Sequence, residues 1–271
     1  HYLNDVSPLA IHSAKEIEQK KLKGIFIGGE KKFGLKVPYL RTSYQSKRPV
    51  WNILIQALPG TLMLAFTAML IAVLIGIPLG VMAAVKQNTW LDTTAIVSSI
   101  AGISAPSFFI GIVMVYIFGF LLCDLTGLQI AGSWFAIDDE GNRRLSLQNL
   151  ILPAITLGIR PLAIITQLTR SAMLDLLDQD YIRTAYAKGL SRRRVIWQHG
   201  LRNALNPVIT AVTGWFAELL AGAFFVEYIF GWQGIGKVTV DALEKLDYPV
   251  VMGAVLISAA FFVLINILAD I

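Results

Sequence analysis

The feature that most limits what this chain can become is the run of residues 53–85, which is almost wholly apolar. A membrane-crossing helix needs about 20 such residues in succession. Four further runs qualify: residues 93–123, 150–168, 208–230 and 250–271. Five spans of an all-α integral membrane protein are therefore expected. The bulk numbers agree. Only 15% of the 271 residues are charged and 55% are hydrophobic, whereas a soluble domain carries about 25% charged residues. The first two runs are long enough to include tilt or interfacial turns. They hold Pro59, Pro78 and Pro106, which a membrane bundle tolerates better than water does. Gly76 and Gly80 stand four apart, a spacing read here as close helix packing rather than a dimer motif. Cys123 is the sole cysteine, so no disulfide can close within the chain, and it reads as packing.

One motif points elsewhere at first sight. In "FGWQGIGKVT", residues 230–239, Gly231, Gly236 and Lys237 fit the opening of a phosphate-binding loop. The next residue of such a loop carries a hydroxyl for magnesium, and here it is Val238. The stretch also ends an apolar span instead of following a soluble strand. A Gly-rich turn that caps the membrane is the better reading.

Short loops rich in Lys and Arg stay in the cytoplasm. Arg170, Arg183, Lys188, Arg192, Arg193, Arg194 and Arg202 put the loop between the third and fourth spans there. Alternation places residues 86–92 inside, 125–149 and 231–247 outside, and the C-terminus inside. Residues 1–50 fall outside by the same parity, although they carry ten basic residues against four acidic ones. Long segments cross largely regardless of charge, and a further span ahead of residue 1 would carry this one. It reads as a small extramembrane region of mixed structure, with residues 51–271 forming the membrane domain.

The cytoplasmic loop, centred on residues 170–207, is the most informative segment. Asp180 is placed to cap a helix over 181–188, and Gly189 suits the left-handed residue that ends it. Ser191 is placed to cap a second helix running to about Leu205, ahead of Pro207. Ala185, Val195, Ile196 and Leu201 suit packing faces. Two short helices and three arginines also suggest a DNA-binding helix pair, a poor reading between two membrane spans. A solvated basic loop and a docking element for a cytoplasmic partner both remain open on the residues alone.

The stretch "YIRTAYAKGLSRRRVIWQHGLRNALNPVIT", residues 181–210, resembles the EAA loop of ATP-binding-cassette importer permeases, in the dipeptide, oligopeptide and nickel branch. Only Ala185, Gly189 and Leu201 match the general form of that loop, and the match to the peptide branch is closer. "LPGTLMLAFTAMLIAVLIGIPLGVMAAV" resembles the opening of the core of the same permeases, "GISAPSFFIGI" the following helix, and "VEYIFGWQGIGKVTVDALEKLDYPVVMGAVL" an extracellular turn with the Asp-Tyr-Pro stretch after it. Gln233 departs from the proline usual in the last of these. The resemblance covers roughly residues 50–271 and implies a type I importer bundle.

It further implies one of two permease subunits in a bacterial inner membrane. Its partners would be a second, similar permease, cytoplasmic ATPases and an extracytoplasmic solute-binding protein, with lipid around the spans and no nucleic acid. ATP hydrolysis would belong to the ATPases, so no catalytic residue, cofactor or metal site is expected in this chain. Coupling to the ATPases would fall on Arg183, Thr184, Ala185, Lys188, Gly189, Leu190 and Leu201, with Ala185 at the contact. Peptides are favoured over nickel because no His, Cys or Met cluster lines a span, and oligosaccharides stay open. An ion-coupled carrier is the main alternative, but it needs intramembrane acids in a relay. The one mid-span acid singled out is Glu218. It either pairs with Arg160 or a backbone carbonyl, or lines the translocation path and attracts a cationic group.

Overall fold

A computed structural model of the chain describes all residues except 1, 8, 21, 23, 28–30, 37, 129–131, 133, 134, 138–142, 146, 147, 270 and 271. The elements begin with α1 (Tyr2–Val6), β1 (Leu9–Ser13), α2 (Ala14–Gln19), β2 (Gly24–Ile27) and β3 (Lys31–Lys36). The long helix α3 (Val50–Val85) follows, then α4 (Trp90–Ser104) and α5 (Ser107–Tyr116), which runs on through a π-helical turn at Ile117–Leu121. Next come α6 (Cys123–Thr126), a hairpin of β4 (Phe135–Ile137) and β5 (Arg143–Leu145), and α7 (Gln148–Leu177). The loop helices are α8 (Asp180–Ala187) and α9 (Arg192–Arg194), the latter followed by a π-helical turn at Val195–Gly200. The chain ends with α10 (Leu201–Gly222), α11 (Phe224–Ile229), α12 (Ile235–Glu244) and α13 (Tyr248–Ala269). They fall into two compact units, residues 1–56 with 238–256, and residues 57–237 with 257–271.

In the first unit, β1 and β2 both pair antiparallel with β3, in the order β1-β3-β2. Strand alternation sends Ala10, His12 and Lys36 to a buried face. Leu9, Ile11, Ile25, Ile27, Phe33 and Leu35 go to the other face and are exposed there. Ser13 and Glu16 cap α2 reciprocally. The unit is tied together by Asp5, which is fully buried. Its carboxylate accepts from Lys20 Nζ at 2.5 Å and from Arg41 Nη2 at 2.8 Å, while its carbonyl accepts from Lys36 Nζ and from the Tyr39 amide. A second buried acid, Asp247, accepts from Ser43 Oγ and from the Tyr44 amide. That contact gives the Asp-Tyr-Pro stretch its purpose. Asp247 holds the turn before α3, and Pro249 sits in the first turn of α13, where its missing N–H costs nothing.

Burial alone would raise the Asp5 pKa, but hydrogen bonds and charges from Lys20 and Arg41 outweigh it and hold the carboxyl below its ordinary value. An acid whose pKa is lower folded than unfolded stabilises the fold above its unfolded pKa, near 3.9, and loses that contribution as pH falls through the folded value. Breaking a buried pair costs about 3–5 kcal/mol, and the low end applies because Lys20 and Arg41 reach solvent. Asp5→Asn is expected to speed limited proteolysis within residues 1–49 and to flatten its rise with acid. Proteolysis equal to wild type at neutral pH would remove Asp5 from this role.

In the second unit, α3 and α7 approach closely at glycines. A Cβ on Gly80 would meet the Thr166 carbonyl oxygen at 2.6 Å, and one on Gly158 the Ala68 carbonyl oxygen at 2.8 Å. Gly76 faces Leu162 and Ile165, so the glycine spacing serves packing within the chain, as expected. The core beneath includes Leu64, Ala68, Leu152, Ile165, Val208 and Phe230.

Among the described residues, three helices are long and apolar enough to cross a membrane, namely α3, α7 and α13, which carry the first, third and fifth predicted spans. The second is not one straight helix. It breaks between α4 and α5 with a bend of 106° at Ala105 and Pro106, where both residues are extended. Proline disfavours helical backbone at the preceding residue, and at Pro106 the span breaks instead of absorbing it as α3 absorbs Pro59 and Pro78. The fourth predicted span forms α10 and α11. Its first turns carry Arg202, Asn203 and Asn206, and α10 is not among the helices that qualify on length and composition. The predicted outer turn 231–247 is largely helical, as α12. The predicted outer loop 125–149 lies partly outside the described residues.

Arg170 is also placed differently from expectation. It belongs to α7 and holds Asp92 of α4 in a two-pronged ion pair, with Nη2 at 2.8 Å from Oδ2. Asp92 in turn accepts from the Asn88 amide at 3.0 Å, which fixes the turn between α3 and α4.

Candidate functional site

The basic loop between α7 and α10 is built on one corner. Gly189 has φ +78°, the left-handed backbone that glycine adopts without penalty. Its amide donates to Tyr186 O, and the Leu190 amide donates to Ala185 O, which closes the end of α8. The helix starts differently from expectation. Gln179 holds the capping position without a side-chain bond, and Asp180 lies in the first turn. Ser191 caps nothing with its side chain either. Nor does the second loop helix stop before Pro207. Helical backbone continues from α9 through the π-turn into α10, with Pro207 inside α10.

The seven residues singled out for coupling divide into two sets. Arg183, Thr184 and Lys188 point outward and Gly189 forms the corner. Ala185, Leu190 and Leu201 point inward. Ala185 is 7% exposed and packs with Ile182, Val195 and Leu190, so within this chain it is core and not a free contact. The reason is helical phase: Ile182 and Ala185 are three apart and share the face turned onto Val195. Leu201 packs with Met173, Ile196 and Ala204.

Three exposed aromatics escaped the sequence reading: Tyr181, Tyr186 and Trp197. Tyr181 and Trp197 line a groove of about 680 Å³ with His199, Arg202 and Asn203, and Asn203 Nδ2 donates to the Tyr181 hydroxyl at 3.3 Å. Large aromatics left exposed among basic residues were the available signal, since Trp, Tyr and Arg dominate binding hot spots.

At the other end of the second unit, the Gly-rich turn is closed by Glu227, which is fully buried. Thr61 Oγ1 donates to its Oε1 at 2.7 Å, and the Lys237 amide to its Oε2 at 3.1 Å. The Thr61 hydroxyl also accepts from the Ile235 amide, and Trp232 Nε1 donates to Gly60 O, both at 2.8 Å. Gly231 has φ +63°, and a Cβ on Gly234 would strike the Glu227 carboxyl at 2.3 Å. Thus the likeness to a phosphate loop has a physical basis. A backbone amide at the start of α12 does donate to an acidic side chain, but that acid is the chain's own Glu227 and not a bound phosphate.

Glu218 lies on α10 in a hollow of about 80 Å³, lined also by Ser107, Leu157, Arg160, Pro161 and Trp215. Arg160 of α7 stands over the Trp215 ring, 5.4 Å from its centroid. Both charged residues are exposed on the chain. Among the described residues, neither forms an ion pair with the other or with a third group. Of the alternatives raised for Glu218, the ion pair with Arg160 is not formed.

Comparison with known proteins bears on the family and the fold. The family model for the "Binding-protein-dependent transport system inner membrane component" matches residues 76–271. The dipeptide transport system permease protein DppB of Haemophilus influenzae is 42% identical over 242 residues, covering 84% of this chain and 72% of that one. DppB of Escherichia coli K12 is 41% identical over 251 residues, covering 85% and 73%. The glutathione transport system permease protein GsiC of Salmonella typhi is 39% identical over 232 residues, covering 85% and 71%. Among solved structures, inward-facing MetNI methionine ABC transporter gives a TM-score of 0.65 at 16% identity, covering 81% of this chain and 94% of that one. An amino acid ABC transporter with histidines gives 0.60 at 15%, covering 81% and 92%. The fold is that of the type I importer permease. Family match and sequence identity together place the chain among the inner membrane components of binding-protein-dependent transport systems, as a permease subunit whose ATPase is a separate chain.

Proposed function

We propose that this chain moves peptides or similar small solutes across the bacterial inner membrane by alternating access, paired with a second permease. Cytoplasmic ATPases bind the outward face of α8, and an extracytoplasmic binding protein delivers the solute. The relatives named for dipeptides and glutathione support the solute class. The observation that carries the mechanism is continuity. α8 packs through Ile182 and Ala185 on Val195, and helical backbone then runs on from Arg192 to Gly222. At 1.5 Å per residue this is a rod roughly 45 Å long. A push on α8 therefore reaches the part of α10 that carries Glu218. Arg183, Thr184 and Lys188 meet the ATPase directly, with Tyr181 and Trp197 in the groove beside them. Gly189 sets the corner, Ala185 and Leu190 hold α8 to the rod, and Leu201 packs the rod against Met173. Glu218 faces the translocation path.

The test is uptake by proteoliposomes that hold this chain with a second permease and the ATPases, supplied with the binding protein and labelled dialanine. Uptake is expected with internal or external ATP at the ATPase face, and none with an imposed proton gradient alone. Gradient-driven uptake without ATP would make the chain a secondary carrier instead.

A further inference from the structure

The hollow beside Glu218 is lined by two ionisable side chains, Glu218 and Arg160. A charge at bilayer depth costs about 2.5–3.5 kcal/mol on insertion scales, so each needs a partner or water. Arg160 lies twelve residues into α7, and Glu218 lies in the last turns of α10, four residues before its end at Gly222. They line one hollow, are exposed, and do not pair with each other. The guanidinium is backed by the Trp215 ring at 5.4 Å. An aromatic face steadies a guanidinium without occupying its N–H donors. That leaves a planar fork suited to a carboxylate, next to a carboxylate suited to an ammonium.

We propose that Arg160 and Glu218 form a transient site for a zwitterion, with Arg160 taking the carboxylate of a short peptide and Glu218 its α-ammonium. The inference rests on the import reading above and adds the chemistry recognised inside the membrane. The two charged ends of an extended dipeptide stand about 7 Å apart, a span that two neighbouring helices can present. Trp215 fixes the guanidinium and leaves the middle of the peptide unread, so side chains of varied shape are accepted. Opposite charges held open cost less with the zwitterion between them than without it, which gives the site its preference for a solute charged at both ends.

The experiment places a reporter in the hollow without touching either charge. Ser107 of α5 lines it, and Cys123 is the only native cysteine. Ser107→Cys in a Cys123→Ser background, assembled as the full complex in proteoliposomes, is labelled with a hydrophilic thiol reagent. Millimolar dialanine is expected to slow labelling about fivefold. Acetyl-dialanine amide, which carries neither charge, is expected to leave the rate unchanged. Adding Arg160→Gln or Glu218→Gln should each abolish protection by dialanine. Equal protection by the capped and free peptides would overturn the proposal, as would protection that survives both glutamines. No labelling at all would show the hollow closed to water and would also overturn it. If either glutamine instead releases the second permease on purification, the pair is a subunit contact and the proposal fails. ATP-dependent uptake by the wild-type complex is read separately, so the import reading stands or falls by its own measurement.

Discussion

Gly60→Ala is expected to be among the most destabilising single-methyl changes in this protein. A Cβ at position 60 would lie 1.9 Å from the Gln233 carbonyl oxygen, a backbone atom that cannot rotate away. Relief requires moving α3 from the Gly-rich turn, which stretches the bond from Trp232 Nε1 to Gly60 O and the adjoining bonds from Thr61 to Glu227. Overpacking costs about 1–3 kcal/mol, and freeing buried donors and acceptors adds about 1–3 kcal/mol for each group left unsatisfied. The sum should exceed roughly 3 kcal/mol, enough to cut the yield of folded protein in detergent severely. Gly214→Ala is the control. It has no neighbour within 4 Å of a new Cβ, and alanine is the better helix former by about 1 kcal/mol. Melting followed by tryptophan fluorescence should show a large downward shift for the first variant and none, or a small rise, for the second. Matching midpoints for the two would mean the turn is not packed as described.

That turn also shows where sequence reading stops. Its glycines were legible as a turn, because left-handed φ and close approach are local demands. The residue that makes it a closed knot was not. Glu227 stands near the start of the stretch that resembles the permeases, but nothing local to it names its partner, and Thr61 lies 166 positions away. The same holds for Asp5 with Arg41 and for Asp92 with Arg170. Ion pairs between distant residues leave no periodic trace. The spans themselves were legible because bilayer thickness sets a length and lipid sets a composition, both carried by consecutive residues. Pro106 was visible, but a proline inside a span leaves kinking and breaking equally open, and only the extended backbone at Ala105 decides for the break.

The loop helices match expectation in the backbone of their corner at Gly189 and depart from it on their faces. Gly189 was assigned from residue type alone, since few other residues adopt its backbone. The direction of Ala185 depended on what α8 leans against, and that is Val195 across the corner. The small residue in the loop is small because a helix packs over it. The aromatic groove arises from Tyr181 and Trp197, sixteen positions apart, which come together only once the corner is folded.

Gly189→Val is expected to leave a folded, inserted protein that transports poorly. The corner has φ +78° and open space where a side chain would point, so the change clashes with nothing beyond its own backbone. The penalty is the left-handed conformation itself, about 1–2 kcal/mol for an ordinary L-residue, and more for a β-branched one. Nothing in the membrane bundle depends on this residue, so yield and melting should stay near wild type. The strain is relieved by rotating α8 away from Val195, which moves Arg183, Thr184 and Lys188 off the position the ATPase meets. A loss of about 1.4 kcal/mol in docking is tenfold in affinity. Dialanine uptake should therefore fall about tenfold, together with co-purification of the ATPases. Gly189→Asn should fall less, because asparagine visits the left-handed region more readily. The graded order, glycine above asparagine above valine, separates a backbone cause from a lost contact, because both substitutions add a side chain to the same open space. Full uptake and full ATPase association in the valine variant would show that the corner does not carry the coupling.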